Sequence, residues 1–151
     1  MMKHIPVFFL TGVILWSCVG LSGCSKGPDY QMVQGTVTFK GEPLSKAAIA
    51  FIPVDLSQGT IFANGLTDEN GVFTLSAAQS EQPNKGTTPG DYYVTVTRNK
   101  DEPSRTESTE FGPIKIFDSL IPKKYNNQNQ SGLKATVERK RVNEFNFDLQ
   151  D

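Results

Sequence analysis

The chain has 151 residues, and its 15 Lys and Arg against 16 Asp and Glu leave a formal net charge of −1. So even a balance supplies no field of one sign to gather nucleic acid or another polyanion. The length suits a single domain whose core is large enough to hold together without disulfides.

Behind Lys3 and His4 an apolar stretch runs from Ile5 to Leu21 and closes with Leu21-Ser22-Gly23-Cys24. It is about as long as the shortest membrane-spanning helices, roughly 17 residues. Pro6, Gly12 and Gly20 interrupt it, however, and it ends in small residues rather than in a Lys/Arg cluster, which fits a cleaved export signal better. The run Leu21 to Cys24 resembles the lipobox of bacterial lipoprotein signals, with Leu three residues before the Cys and small residues between. The resemblance implies that the Cys24 thiol takes up a diacylglyceryl group and that the signal, residues 1–23, is cut between Gly23 and Cys24. A thiolate has the nucleophilicity this requires. Cys18 follows Leu15-Trp16-Ser17, where the bulky Trp16 makes a poor lipobox. Two or more acyl chains, at about 0.8 kcal/mol per buried methylene, give stable membrane attachment. Ser25 stands where an Asp commonly retains lipoproteins at the inner membrane. The expected address is therefore extracytoplasmic and lipid-anchored, at the outer membrane in a cell that has one.

Removal of the signal takes Cys18 and the one His, and the lipid consumes Cys24, so the mature domain has no disulfide to form. Residues 24–30 read as a lipidated tether, whose segment Ser25-Lys26-Gly27-Pro28-Asp29, polar and turn-forming, spans at most about 20 Å. Residues 31–151 read as one domain built of strands. Val33, Gly35, Val37 and Phe39 alternate with Gln34, Thr36 and Thr38, the period of a half-buried strand. Gly41-Glu42-Pro43 breaks it. A second apolar run covers Ala47 to Ile52, and Thr60 to Thr67 is a third strand unless Asn64-Gly65 makes a hairpin turn instead. Asp68-Glu69-Asn70-Gly71 turns the chain into Val72 to Ser76; the Asp68 carboxylate is placed to bond amides two or three residues on, and Gly71 to take a positive φ. Pro89-Gly90 reads as a type II turn ahead of Tyr92 to Thr97. Arg98 to Gly112, charged and rich in Ser and Thr, reads as a long mobile loop. Leu133 to Glu138 and Glu144 to Leu149 close the domain around the turn Arg139 to Asn143. About seven short strands without helical periodicity suggest an all-β, antiparallel sandwich.

The segments Val33-Gln34-Gly35-Thr36-Val37, Gly41-Glu42-Pro43-Leu44, Ala48-Ile49-Ala50-Phe51, Thr67 to Phe73 and Pro89 to Val94 occur in one order. Together they resemble the carboxypeptidase regulatory-like domain, which implies a Greek-key β-sandwich of the transthyretin or prealbumin type. Ile121-Pro122-Lys123-Lys124-Tyr125, with Ser131-Gly132-Leu133 and the closing strand, is similar to the C-terminal half of small bacterial lipoproteins carrying the same domain.

Enzymes also use this sandwich. Transthyretin-like hydrolases depend on His residues and a C-terminal tetrapeptide, and intradiol dioxygenases hold iron with two Tyr and two His. The mature domain keeps no His and no free Cys, and it ends Asp148-Leu149-Gln150-Asp151, so no catalytic, cofactor-binding or metal-binding residue is assigned. The spacing of Asp68, Glu69 and Asn70 lacks the ligand pattern of a calcium loop. The reading is a non-catalytic structural or recognition module of the cell envelope. Its partners are the membrane, through the lipid on Cys24, and an envelope protein or glycan. The alternatives are a carbohydrate or cell-wall polymer binding protein and, in another class, a divergent hydrolase using carboxylates. Tyr92 and Tyr93 point to opposite faces and are the candidates for stacking on a sugar. Lys123-Lys124 and Arg139-Lys140-Arg141 would make an anion-binding patch if the fold joined them.

Overall fold

Alternation along Val33 to Phe39 produces the strand β1 (Val33–Phe39), whose Val33 and Val37 are fully buried. The computed structural model describes residues 27–151 apart from Gln82. Cys24 and Gly23, with the signal and the first residues of the tether, lie outside the described residues. After β1 come β2 (Glu42–Pro43), β3 (Ala48–Pro53), β4 (Ala63–Leu66), β5 (Val72–Thr74), β6 (Ser76–Ala77) and β7 (Gly90–Thr97). The chain continues with β8 (Arg105–Thr109), β9 (Gly112–Ile116), β10 (Leu133–Val137) and β11 (Asn143–Leu149). Short 3₁₀ turns at Leu56–Gln58 and Lys123–Asn126 are the only helical elements among the described residues.

The strands form an all-β sandwich. One sheet has β1 between β11 on one side and β2 and β5 on the other; the second runs β10-β7-β3-β4-β6. Strands β1, β3, β4, β5, β7, β10 and β11 are the seven the periodicity predicts. The two-residue β2 and β6 and the separate ribbon β8–β9 are additional. The run from Val72 to Ser76 is divided, since β5 pairs with β1 while β6 pairs with β4 in the other sheet. Leu75, at the crossing, is fully buried. Asn64 and Gly65 make no hairpin turn but sit inside β4, opposite Ala50 and Ile49.

Two expectations need correction. The sandwich is not wholly antiparallel: β11 pairs parallel with β1, from Val33 opposite Asn143 to Phe39 opposite Leu149. Residues 138–142 carry the chain from β10 in one sheet to β11 in the other, so β11 arrives running with β1. The alternation within one strand says nothing of its neighbour's direction. Gly90 is not the corner of a type II turn; it opens β7 at φ +148, far from the roughly +80° of that turn. A Cβ at Gly90 would also come 2.4 Å from Thr60 Cγ2. The Asp68 turn forms as its residues dictate. Asp68 Oδ1 accepts from the amides of Asn70 at 2.8 Å and Val72 at 2.9 Å, and Gly71 takes φ +74.

Between the sheets, Phe51 of β3 meets Tyr92 of β7 and Phe145 and Phe147 of β11, with ring centroids 5.8, 5.6 and 6.4 Å away. Phe73 of β5 lies 6.4 Å from Phe147 with its ring nearly parallel. Such tilted and offset pairs add about 0.5–1.5 kcal/mol each to the burial of their area. Pairing of β1 with β11 requires Gly35, because a Cβ there would stand 1.8 Å from the Phe145 carbonyl oxygen. Replacement of Gly35 by Ala is expected to cost about 3 kcal/mol, the upper end of overpacking penalties. Gly27→Ala, which meets nothing within 4 Å, should leave the urea midpoint unchanged.

Candidate functional site

The turn before β7 fixes the fate of the first candidate tyrosine. Tyr92 is fully buried. Its hydroxyl donates to the Thr88 carbonyl at 2.7 Å and lies 3.2 Å from both the Thr87 and Thr88 hydroxyls. Those two threonines in turn bond the Ile61 carbonyl and amide. Tyr92 is thus a core residue and not a sugar platform, because its face of β7 also carries Val94 and Val96, both fully buried between the sheets. Tyr92→Phe should lower stability by about 1 kcal/mol, the net worth of one buried hydrogen bond, as read by thermal unfolding with the native fold retained.

Tyr93 points outward. It is half-buried and stands between Lys134 of β10 and Ile52 of β3 in register. Lys134 Nζ lies 5.8 Å from the ring centroid, within cation–π range. The row offers one aromatic ring, one ammonium and one aliphatic side chain.

On the outer face of the other sheet, three successive pairs on β1 and β11 bond across the strands. Gln34 Nε2 donates to Glu144 Oε1 at 2.8 Å, and the hydroxyls of Thr36 and Thr38 donate at 2.7 Å to Asn146 Oδ1 and Asp148 Oδ1. Asp148 Oδ1 also accepts from the Gly41 amide at 3.1 Å. The Thr38 hydroxyl first, and then this amide, hold the Asp148 carboxyl below its ordinary range. A carboxyl that binds its proton less readily folded than unfolded stabilises the fold above the unfolded pKa of about 3.9 and loses that contribution as pH falls through the lower folded value. Thr38→Val should therefore flatten the dependence of unfolding midpoint on pH below about 4 while changing the midpoint least at the acid end.

The two basic groups are not joined. Arg139 to Arg141 precede β11, where Arg139 Nη1 bonds Asp29 Oδ2 at 2.9 Å. Lys124 lies beyond the far end of β11, its Nζ donating to the Asp151 carbonyl at 2.9 Å. Seven strand residues, about 23 Å, separate them. No anion-binding patch forms from the pair. An open groove of about 640 Å³ is lined by Asn64, Leu66, Val72, Thr74 and Asn84, with Asp68 as its one carboxylate; Asp68 Oδ1 is already committed to the turn. Among the described residues no group of three or more His, Cys, Asp and Glu is placed to hold a metal ion.

The segment 98–112 is not a structureless loop. Beyond β7 the chain stays paired, with the Leu120 amide on the Arg98 carbonyl at 2.7 Å and the Lys100 amide on the Asp118 carbonyl at 2.8 Å. It then forms the ribbon β8–β9, which pairs with neither sheet of the sandwich. Every residue of β8 is exposed, and Phe111 in the turn between the strands is 100% exposed. Ile114 and Phe117 are also exposed. Arg98 anchors the root through its Nε, which donates to the Ser45 carbonyl at 2.7 Å, and Asp101 bridges Arg98 and Lys46. That root is at the end of β7 opposite Gly90, whereas the N-terminal segment is held at the Gly90 end by the Gln31–Thr87 bridge and by Arg139 on Asp29. The ribbon is hard to read from sequence because β8 is Arg, Thr, Glu and Ser with no apolar alternation and β9 opens on Gly112-Pro113. The readable signal was Ile114 and Ile116 following the turn residue Gly112.

No helix among the described residues is long and apolar enough to cross a membrane. No protein-family model matches the chain, and no curated protein matches it. Solved structures similar to it at 14% identity over 82% of its length include the 9R-lipoxygenase from Cyanothece PCC8801, with a TM-score of 0.41, and the major pilin subunit of Bacillus cereus, with 0.38. Chlorocatechol 1,2-dioxygenase from Pseudomonas putida, at the same identity and coverage, has a TM-score of 0.36. The chain spans 16%, 30% and 61% of the lengths of these three proteins.

Proposed function

We propose that the chain is a lipid-anchored cell-envelope protein whose β-sandwich is a non-catalytic recognition module, with the β8–β9 ribbon as its contact element. The observation that carries this reading is the ribbon itself: β8 exposed along its length, β9 exposed from Pro113 to Lys115, a fully exposed Phe111 at the turn, and no pairing with the sandwich. The likeness of Leu21 to Cys24 to a lipobox, and of the domain to the carboxypeptidase regulatory-like family, supports the address and the class. Held by Cys24, the domain would lie with its N-terminal end toward the membrane and the ribbon root at the far end. An aromatic at the tip of such a ribbon is the kind of side chain that anchors protein interfaces.

A photo-crosslinking phenylalanine analogue at position 111, introduced into the full chain in cells, should give adducts. They should vanish when residues 105–116 are replaced by a short turn, while Cys24→Ala should release the protein from the membrane fraction. Absence of any adduct in intact cells would sink the recognition reading.

A second reading rests on Tyr93, whose half-exposed ring and neighbouring Lys134 suit a saccharide ring bearing an anionic group. It calls for selective binding on a glycan array that Tyr93→Ala abolishes with the fold intact.

A further inference from the structure

The two free edges of the ribbon are chemically unequal. Ser108 stands opposite Pro113 in the ribbon register. Proline has no N–H, so this pair does not exchange ladder bonds, and by alternation the pairs that do are Thr109–Gly112, Glu107–Ile114 and Arg105–Ile116. The backbone groups of Thr106 and Ser108 are then directed off the outer edge of β8, and those of Pro113 and Lys115 off the outer edge of β9. Pro113 and Lys115 are the residue types that block strand addition. The β9 edge is closed by them. The β8 edge has neither, and a two-stranded ribbon on its own is marginal in water.

The side chains of β8 indicate what completes it. Arg105 and Glu107 lie on one face, with Arg105 Nε on Glu107 Oε1 at 2.7 Å, and both are exposed. An antiparallel copy of β8 placed about a two-fold axis at Thr106 sets Arg105 of each copy opposite Glu107 of the other, with Thr106 opposite Thr106. Four charges then alternate in sign across the join. A parallel, in-register pairing would instead set Arg105 against Arg105. We propose that the β8 edge pairs antiparallel with β8 of a second copy of this chain, joining two ribbons into one four-stranded sheet. This rests on the reading of the ribbon as the contact element and names its partner. Antiparallel pairing places the two ribbon roots at opposite ends of the joined sheet.

The test uses residues 27–151, which hold every strand and every buried side chain described above and contain no Cys. Residues directly opposite in an antiparallel pair have Cα atoms about 4.5–5.5 Å apart, within disulfide reach. Thr106→Cys should form a covalent dimer under mild oxidation, whereas Lys115→Cys on the blocked edge should not. In light scattering, Arg105→Glu and Glu107→Arg should each raise the dimer dissociation constant at least about tenfold by setting like charges opposite one another. The double exchange should restore it. A chain that stays monomeric, or a dimer indifferent to the charge exchanges, overturns the proposal. If the chain is monomeric yet the analogue at position 111 captures a different protein in cells, the second copy is refuted and the recognition reading stands; if neither assay gives a product, both fall.

Discussion

Phe51 is the side chain through which the two sheets meet. From the middle strand of its own sheet it touches Tyr92 beside it and Phe145 and Phe147 across the interface. Phe73 extends the contact to β5. A sandwich core is a layer about 10 Å thick, and rings of this size fill it from both sides at once. Where the rings meet, the strands that carry them are fixed in height, and the outward residues follow by alternation. The exposure of Tyr93 is a consequence of the burial of Tyr92. The same holds on β11, where Phe147 and Leu149 inside place Asn146 and Asp148 outside.

The core elements were legible because each carries its own pattern. The runs Val33 to Phe39, Ala47 to Ile52 and Tyr92 to Thr97 lie within two residues of the strands they form, and the Asp68 turn forms with the expected bond to the amide two residues on and a second one to the amide four on. Pairing partners were not legible, since the parallel join of β1 to β11 is a relation between segments at opposite ends of the domain. The ribbon failed for another reason. Its strand β8 buries nothing, so no hydrophobic alternation marks it, Ile114 and Ile116 mark only β9, and pairing with β9 is what makes Arg105 to Thr109 extended. Alternation showed that Tyr92 and Tyr93 part company, but the choice between them needed the rest of the face. Val94 and Val96, read together with Tyr92, already named the inner side. The distance between the two basic groups depended on strand direction, which periodicity omits.

The surfaces divide by how far their polar groups are already engaged. On the outer face of β1 and β11 each outward pair bonds across the strands, so that a ligand would have to compete with those bonds. Within the core, Tyr92, Thr87 and Thr88 satisfy one another and Ile61, and no buried side-chain nitrogen or oxygen among the described residues lacks a partner. The ribbon is different. Its outer backbone groups and its tip aromatic are exposed, and its root is braced by Arg98, Asp101 and Lys46. A braced root with an edge left outside the ladder sets the ribbon apart from the other surfaces of the domain.

The join of β1 to β11 has a consequence for how the domain comes into being. Its cross-strand bonds link residues 110 positions apart, and contacts so distant form slowly because the intervening chain must first be drawn together. A chain synthesised or threaded from its N-terminus presents Val33 and Val37 long before Phe147 and Leu149 exist to cover them. Until residues 143–149 emerge, one flank of β1 is an open template for any other strand. The strand that appears last therefore decides whether the strand that appeared first finds its own partner or a stranger's.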